Sequence, residues 1–542
     1  MATHSKNAGI AVLKDATRNK GTAFSAEERR QLGLEGLLPG AEETLARQLE
    51  RVLGHLAAKP DDLERYIYLQ SLADRNETLF YKTLMSDPAR FVPLVYDPTI
   101  AAACQTYGHI YREPRGMYLN KTFKGRLAEV LKNWPVKAVR FICVSSGRRI
   151  LGLGDIGANG APIPIGKLQL YTACAAVPPG CLLPIHMDIG TENAALRADP
   201  LYLGLRHTPL ADEETDSLMD EFVTAVGEIF PDCCIHFEDW KGSDALRLLD
   251  RYADQALVYN DDIQGTASVT LAGLYAAMKI KKSTLAQQRF LFAGAGSAAI
   301  GIGRLLIDAM IAEGVDEKAA RQRIAMFDIK GLIASQRDDL NNWQQPFAQS
   351  MKQTDDFAAA VEAFQPTVVI GVSTQRGLFS QPVVEKICEI DAQPVIFALS
   401  NPTEKAECTA EQAYQWSEGK ALFAAGVQFS PVTAQGKTFY PGQANNFTIF
   451  PALGLAIYAT RPERVTQEMF IVAAQATADQ ITPGELQKGM LYPDQNAILE
   501  TEMTTAARLA EWIFDRQLAR VKRPEDIRAW LESLAWSPDY AD

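Results

Sequence analysis

Phe290-Leu291-Phe292-Ala293-Gly294-Ala295-Gly296-Ser297-Ala298-Ala299 decides the fold: four apolar residues run into a Gly-x-Gly-x-x-Ala turn that opens a long helix, expected over 297–312. Strand, glycine turn and helix in that order make the βαβ unit that binds dinucleotides. The backbone can approach the pyrophosphate closely there, and the helix N-terminus points amides at it. The next apolar run, 324–327, ends at Asp328, where an acid accepts the ribose hydroxyls. Gly294, Gly296, Ser297, Ala298, Ala299 and Asp328 are therefore the expected cofactor contacts. A second match, Gly152-Leu153-Gly154-Asp155-Ile156-Gly157, carries an acid in its middle that would repel a pyrophosphate. It reads instead as a close-packed turn that shapes a substrate site, with Lys167 just beyond it.

Outward from that unit, apolar runs alternate with helix-period segments, the pattern of parallel sheets covered by helices, and the fold class is α/β. Further strands are expected at 138–144, 182–187, 235–237, 367–370, 395–399 and 421–424. The chain before them reads as helical. Ser25 and Glu28 have capping-box spacing, and apolar residues recur at helical intervals over 43–56 and 61–84.

The 47% hydrophobic and 22% charged residues of the 542-residue chain belong to a globular protein, not a disordered one. A net charge of −12 argues against nucleic acid or an anionic membrane as partner, and requires local cations for any anionic substrate. Eight cysteines without a Cys-x-x-Cys pair suggest reduced thiols. No run is long and apolar enough to cross a bilayer, and residues 1–6 lack a secretory apolar region. A cytoplasmic location is expected.

Two pairs of adjacent acids stand at the ends of apolar runs, Glu238-Asp239 after Phe237, and Asp261-Asp262 in Tyr259-Asn260-Asp261-Asp262-Ile263-Gln264-Gly265-Thr266. Carboxylates so placed are desolvated and need a partner. A hard divalent cation, Mg²⁺ or Mn²⁺, prefers oxygen ligands and keeps positions open for water or substrate. Successive strand residues face opposite ways, so Asp261 and Asp262 at a strand end would let one face a metal while the other holds a neighbouring cation. Solvated acidic turns are the blander reading of either pair alone. At Pro93-Leu94-Val95-Tyr96-Asp97-Pro98, proline holds the residue before it extended. Tyr96 is thus expected at a strand or loop end with its hydroxyl at the rim, where a lone tyrosine is ordinarily packing with a polar handle.

Together, Arg149-Ile150-Leu151-Gly152-Leu153-Gly154-Asp155, Gly166-Lys167-Leu168, Phe237-Glu238-Asp239, Asn260 to Thr266, Gly294-Ala295-Gly296 and Leu399-Ser400-Asn401-Pro402-Thr403 resemble the malic enzyme family in order and spacing. The resemblance runs from about Lys20 to Ile513. It implies oxidative decarboxylation of L-malate to pyruvate and CO₂, with reduction of NAD or NADP, a Mn²⁺ or Mg²⁺ ion, and a homotetramer built as a dimer of dimers. Glu238, Asp239 and Asp262 are implied as metal ligands, Lys167 as the base for the C2 hydroxyl, Asp261 as its orienting partner, and Tyr96 as the acid that protonates C3. Such a lysine works near neutral pH only where burial and nearby positive charge depress its pKa. Arg149 is implied to pair with a substrate carboxylate, helped by Asn401, Asn445 and Asn446, with Asn401 also on the cofactor side. The implied layout is a helical N-terminal region (1–115), a parallel-sheet metal and substrate domain (116–262 with 447–519), a Rossmann-type NAD(P)-binding domain (263–446) and a C-terminal helix and tail (520–542).

The chain departs from the family at Ser145-Ser146-Gly147-Arg148-Arg149, where Thr-Asp-Gly-Glu-Arg is usual, making the local charge more positive by about three. The loop Ile156-Gly157-Ala158-Asn159-Gly160 leaves malolactic enzyme, which turns malate into lactate with bound NAD and Mn²⁺, as the alternative. NAD is favoured over NADP, because Asp328 disfavours a 2′-phosphate and the lysine of many NADP-using relatives is absent from Trp343-Gln344-Gln345-Pro346. A non-catalytic NAD-binding assembly protein is a remoter reading, since folding does not demand buried charges at Lys167, Glu238, Asp239, Asp261 and Asp262. A zinc hydrolase using His236 is remoter still, without a His-Glu-x-x-His spacing.

Overall fold

The computed structural model describes residues 8–150 and 152–541, so residues 1–6, where no secretory leader is expected, lie outside the described part. Among the described residues no helix is long and apolar enough to cross a membrane. The capping box forms: Glu28 N donates to Ser25 Oγ at 3.2 Å and Ser25 N to Glu28 Oε2 at 2.8 Å, starting helix Ala26–Gln31. The stretch 61–84 is two helices, Asp62–Ala73, which ends at Asp74, and Glu77–Ser86, which Asn76 caps, its Oδ1 accepting from Leu79 N at 2.9 Å. Asn76 Nδ2 also donates to the Tyr540 hydroxyl at 2.7 Å, which donates to Gln48 Oε1 at 2.6 Å. The C-terminal tail is thereby stapled across the N-terminal helices.

The run before Tyr96 is helical, so Tyr96 stands at a loop end, one of the two placements expected. Helix Pro88–Val95 carries Pro93 inside it and ends at Tyr96. Pro93 forfeits a single backbone bond, which so short a helix survives.

Five strands form the first sheet: β1 (Met117–Asn120), β2 (Phe141–Ser145), β3 (Leu182–Asp188), β4 (Cys234–Glu238) and β5 (Val258–Asn260). Their order is β1-β3-β2-β4-β5 and every pairing is parallel. Parallel strands are buried on both faces and read as continuous apolar runs, so β2, β3 and β4 stand out in sequence. The half-buried edge strand β1 does not. Register sets Ser145, His186 and Glu238 side by side at the C-terminal edge. Helix Pro162–Ala175, buried along all 14 residues, packs on β2 and β3 beneath helices Phe450–Thr460 and Ile498–Asp515.

The second sheet holds β6 (Phe290–Ala293), β7 (Ile324–Asp328), β8 (Gly331–Leu332), β9 (Val368–Gly371), β10 (Val395–Ala398) and β11 (Leu422–Ala425). After a hairpin of β12 (Val432–Ala434) and β13 (Lys437–Phe439), β14 (Gly442–Gln443) closes one edge. The order β14-β11-β10-β9-β6-β7-β8 reverses at β6, with β7 on one side and β9 on the other. That switch point opens a crevice at the C-terminal ends of the strands, where ligands of such sheets bind. Helix Ser297–Ala312, at the expected bounds, leaves this crevice and lies against the turn Asp261–Gly265 of the first sheet.

Gly301 makes that contact possible, since a Cβ on it would sit 2.5 Å from the Ile263 carbonyl oxygen. Overpacking of this kind costs about 1–3 kcal/mol. Gly301→Ala should lower the thermal midpoint. A variant with an unchanged midpoint would mean that helix and turn yield freely.

Candidate active site

β4 ends at Glu238, and Asp239 follows with φ 54°, a left-handed conformation that aspartate tolerates better than most residues. Its N–H donates to Asp262 Oδ2 at 2.7 Å, tying the two acidic segments together. β5 does not continue through Asp261 and Asp262 as a strand. It runs into a π-helical turn, Asp261–Gly265, a form common at functional sites, and the turn rather than strand alternation separates the acids. Asp261 turns inward to Lys167, while one carboxylate oxygen each from Glu238, Asp239 and Asp262 lie within 4.8 Å of one another. Burial, reinforced by neighbouring acids, pushes Glu238 up to about 7, Asp262 up to about 8, and Asp239 well above the usual range. Two buried acids and a half-buried third cannot all ionise without a counter-charge. Their all-oxygen donor set fits a hard divalent cation.

Lys167 rises from helix Pro162–Ala175, its Nζ 2.7 Å from Asp261 Oδ2 and 2.9 Å from Glu238 Oε1. Here the structure corrects the expectation of nearby positive charge. Burial alone would lower the lysine pKa, but Asp261 and Glu238 outweigh it and hold the amine protonated, well above its ordinary value. Burial would likewise raise Asp261, yet the Lys167 ammonium and the Asn446 amide keep it below the usual carboxylate range. Tyr96 is buried, not at the rim, and its hydroxyl donates to Glu238 Oε1 at 3.2 Å. Burial drives its phenol well above 10, so the proton stays on. Behind Glu238, burial pushes His236 down to about 3, leaving a neutral imidazole.

One cavity takes in Tyr96, Arg149, Lys167, Glu238, Asp239, Asp262, Asn401, Asn445 and Asn446 together with Ser297 and Ala298. Asn446 turns out to be committed, donating to Asp261 Oδ2 at 2.8 Å and to Thr266 Oγ at 3.1 Å. Asn445 Oδ1 accepts from Phe447 N at 3.3 Å. Arg149 is exposed on the cavity wall and forms no ion pair among the described residues. The extra positive charge expected at Arg148 does not reach the cavity, because its buried guanidinium faces Asp155 (3.4 Å), Glu192 (2.9 Å) and Asp244 (3.6 Å). Asp155 also accepts from Thr191 Oγ at 2.7 Å and Glu192 N at 2.9 Å, and Gly152 of the same loop packs against Pro402.

On the nucleotide side, Gly294 has φ 125° and a Cβ there would meet the Val372 carbonyl oxygen at 2.7 Å, so only glycine fits the switch point. Helix Ser297–Ala312 has no side-chain cap, which leaves its first amides for a ligand; Ala299 is buried in that first turn. Asp328 ends β7 outside the cavity lining, gripped by Arg337 at 2.8 and 2.9 Å. Sequence reading missed Glu407. Its buried carboxylate accepts from Ser373 N (2.9 Å), Ser373 Oγ (2.7 Å) and Ser400 Oγ (2.5 Å), holding the loops after β9 and β10 at the crevice. A lone acid in a loop gives no signal of that.

Comparison with known proteins agrees with this geometry. Residues 73–253 match the family model "Malic enzyme, N-terminal domain", and residues 263–514 match "Malic enzyme, NAD binding domain". The chain is 44% identical over 535 residues to the NADP-dependent malic enzyme of Anas platyrhynchos, covering 98% of this chain and 96% of that one. It is 42% identical over 538 residues to the mitochondrial NADP-dependent malic enzyme of Homo sapiens, covering 99% and 89%. Among solved structures, the Entamoeba histolytica malic enzyme superimposes with a TM-score of 0.59 at 21% identity, covering 93% of this chain and 91% of that one, a likeness of fold.

The crowded acids make a stability prediction. Glu238 and Asp262 titrate at about 7 and about 8 in the folded, metal-free protein, above their ordinary 4.5 and 3.8. The folded state therefore holds more protons between those limits, and the associated stability, full below the ordinary values, is lost as pH rises through about 7 and 8. The thermal midpoint of metal-free protein should fall between about pH 5 and about pH 8.5, and saturating Mn²⁺ should flatten the decline. Equal slopes with and without Mn²⁺ would contradict the crowding.

Proposed function

This chain belongs to the malic enzyme family, and we propose on that footing that it converts L-malate to pyruvate and CO₂ while reducing NAD. The observation that carries the reading is the single cavity on which Lys167, Tyr96, Asp262 and Ser297 all stand. A base, an acid, the clustered carboxylates and the nucleotide helix thus face one small substrate. Malate is a dianion. Arg149, without an ion-pair partner among the described residues, supplies a cation for one carboxylate, and Asn401 and Asn445 beside it supply directional hydrogen bonds.

Lys167 removes the C2 hydroxyl proton once it is neutral, and Asp261 at 2.7 Å holds its amine in line. Asn446 holds Asp261 in turn. Tyr96 keeps its phenolic proton near neutral pH and gives it to C3 after CO₂ departs. Glu238, Asp239 and Asp262 would hold Mn²⁺ or Mg²⁺, which supplies Lewis acidity at the C2 oxygen and offsets the negative charge that otherwise keeps Lys167 protonated. The uncapped start of helix Ser297–Ala312 would hold a nicotinamide nucleotide, which would supply the hydride acceptor.

NAD rather than NADP is favoured by the corner beyond β7. Asp328 carries a charge that a 2′-phosphate would oppose, and Ile329 beside it is apolar and 100% exposed. The nearby cations are spent, Arg337 on Asp328 and Asp339, and Lys330 on Asp339 at 2.8 Å. Gln344 donates instead to the Ala295 carbonyl at 3.2 Å. This reading sets the chain apart from its NADP-dependent relatives. All eight cysteines are free thiols, which supports a reducing compartment, the cytoplasm. A homotetramer arranged as a dimer of dimers completes the proposal, and sedimentation would read it.

L-malate, Mn²⁺ and NAD should yield NADH and pyruvate in equal amounts, with kcat/KM for NAD at least about tenfold above that for NADP. Lactate formed without NADH would replace this reading with the malolactic one. Lys167→Ala should cut malate oxidation by about 10²–10⁴-fold while decarboxylation of oxaloacetate, which needs no alkoxide, falls far less. Equal losses in both would contradict the role of Lys167.

A further inference from the structure

Behind the clustered acids lies a buried polar chain that the proposed chemistry does not use. His236 stands on β4 two residues before Glu238, on the same face. Its Nε2 lies 3.0 Å from Glu238 Oε2, whereas Lys167 and Tyr96 both engage the other oxygen, Oε1. On the far side of the ring, Nδ1 lies 2.8 Å from the Tyr171 hydroxyl and 2.9 Å from the Tyr259 hydroxyl, and these hydroxyls bond to each other. Strand pairing fixes Tyr259 opposite His236, and Tyr171 comes from the Lys167 helix one turn further on. All three side chains are fully buried.

Counting protons settles how this chain is wired. In the ionised form that a cation requires, the Glu238 carboxylate only accepts, so in that form Nε2 carries the imidazole proton and Nδ1 accepts. The two hydroxyls bring two protons, one for Nδ1 and one for the other hydroxyl oxygen. Every polar atom is satisfied, and the tautomer has one solution. Glu238 Oε1 already accepts from Lys167 and Tyr96, so Oε2, held by the imidazole, keeps one uncommitted lone pair.

We propose that His236, locked by Tyr171 and Tyr259, is a positioning residue that fixes the Glu238 carboxylate and thereby sets the affinity of the protein for its divalent cation. The inference rests on Glu238 being a metal ligand, as proposed above. Its physical basis is pre-organisation: a carboxylate oriented before the ion arrives loses less freedom on binding, and outer partners of this kind govern ligand orientation.

The test is Mn²⁺ binding to metal-free enzyme without substrate, read from the electron paramagnetic resonance of free Mn²⁺. His236→Phe should weaken Kd by about 10–100-fold, and His236→Gln, which retains an N–H donor, should recover most of that loss. Tyr171→Phe with Tyr259→Phe keeps ring volume but frees the tautomer, and should weaken binding by about threefold or more. The tyrosine pair probes the same linkage even if His236→Phe does not fold. Wild-type affinity in folded His236→Phe or in the tyrosine pair, or a glutamine variant as weak as the phenylalanine one, would overturn the role. Glu238→Gln should abolish tight binding. If it does not, the metal-ligand reading falls and this inference with it, whereas intact binding in the His236 and tyrosine variants alone sinks only the inference.

Discussion

An ammonium wedged between two carboxylates sets the terms for this protein. Lys167 lies 2.7 Å from Asp261 and 2.9 Å from Glu238, out of contact with bulk water. Burying such charges costs several kcal/mol per ion, and only close pairing with further hydrogen bonds offsets it. The surroundings supply both. Asn446 bonds to Asp261, Tyr96 and His236 bond to Glu238, and the Phe450 ring lies 4.6 Å from the amine. A group held this firmly as a cation is a poor base until some of the surrounding negative charge is drawn elsewhere, so its chemistry is tied to whatever the neighbouring acids bind.

The fold brings these groups together by facing two sheets toward one another at the ends where their strands stop. The first sheet contributes Glu238 at the end of β4 and the acids after β5; the second contributes the glycine turn after β6 and the loops after β9 and β10. Close packing at the seam makes the geometry shared. Gly301 abuts Ile263, Gly152 abuts Pro402, and Glu407 couples Ser373 to Ser400. A shift on either side would be felt at the clustered acids and at helix Ser297–Ala312 alike.

Sequence reading succeeded where one local signal dominates. The apolar strand and glycine turn before Ser297 located β6 and its helix to the residue, and the Ser25 and Glu28 spacing located a cap. The buried strands β7, β9, β10 and β11 lay within one residue of the expected runs. It failed where distant residues decide. Tyr96 does stand where a helix stops, but its hydroxyl, expected at the rim, is buried against Glu238, 142 positions away in the chain. Nothing local announces a π-turn after Asn260, and the charge of Arg148 depends on Asp244 and Glu192, remote in the chain. Lys167 taught the same lesson, since the sign of its environment is set by Asp261, 94 positions away.

The staple between Tyr540 and Gln48 joins residues 492 positions apart. A ribosome releases the chain from its N-terminus, and domains form as they emerge. The helix that carries Gln48 is therefore made 492 positions ahead of Tyr540 and waits for that partner. Until then Gln48 Oε1 and Asn76 Nδ2, the atoms that meet Tyr540, rely on solvent. Completion of the surface around Gln48 is thus timed by the synthesis of Tyr540, and a product cut short before that residue leaves it unfinished.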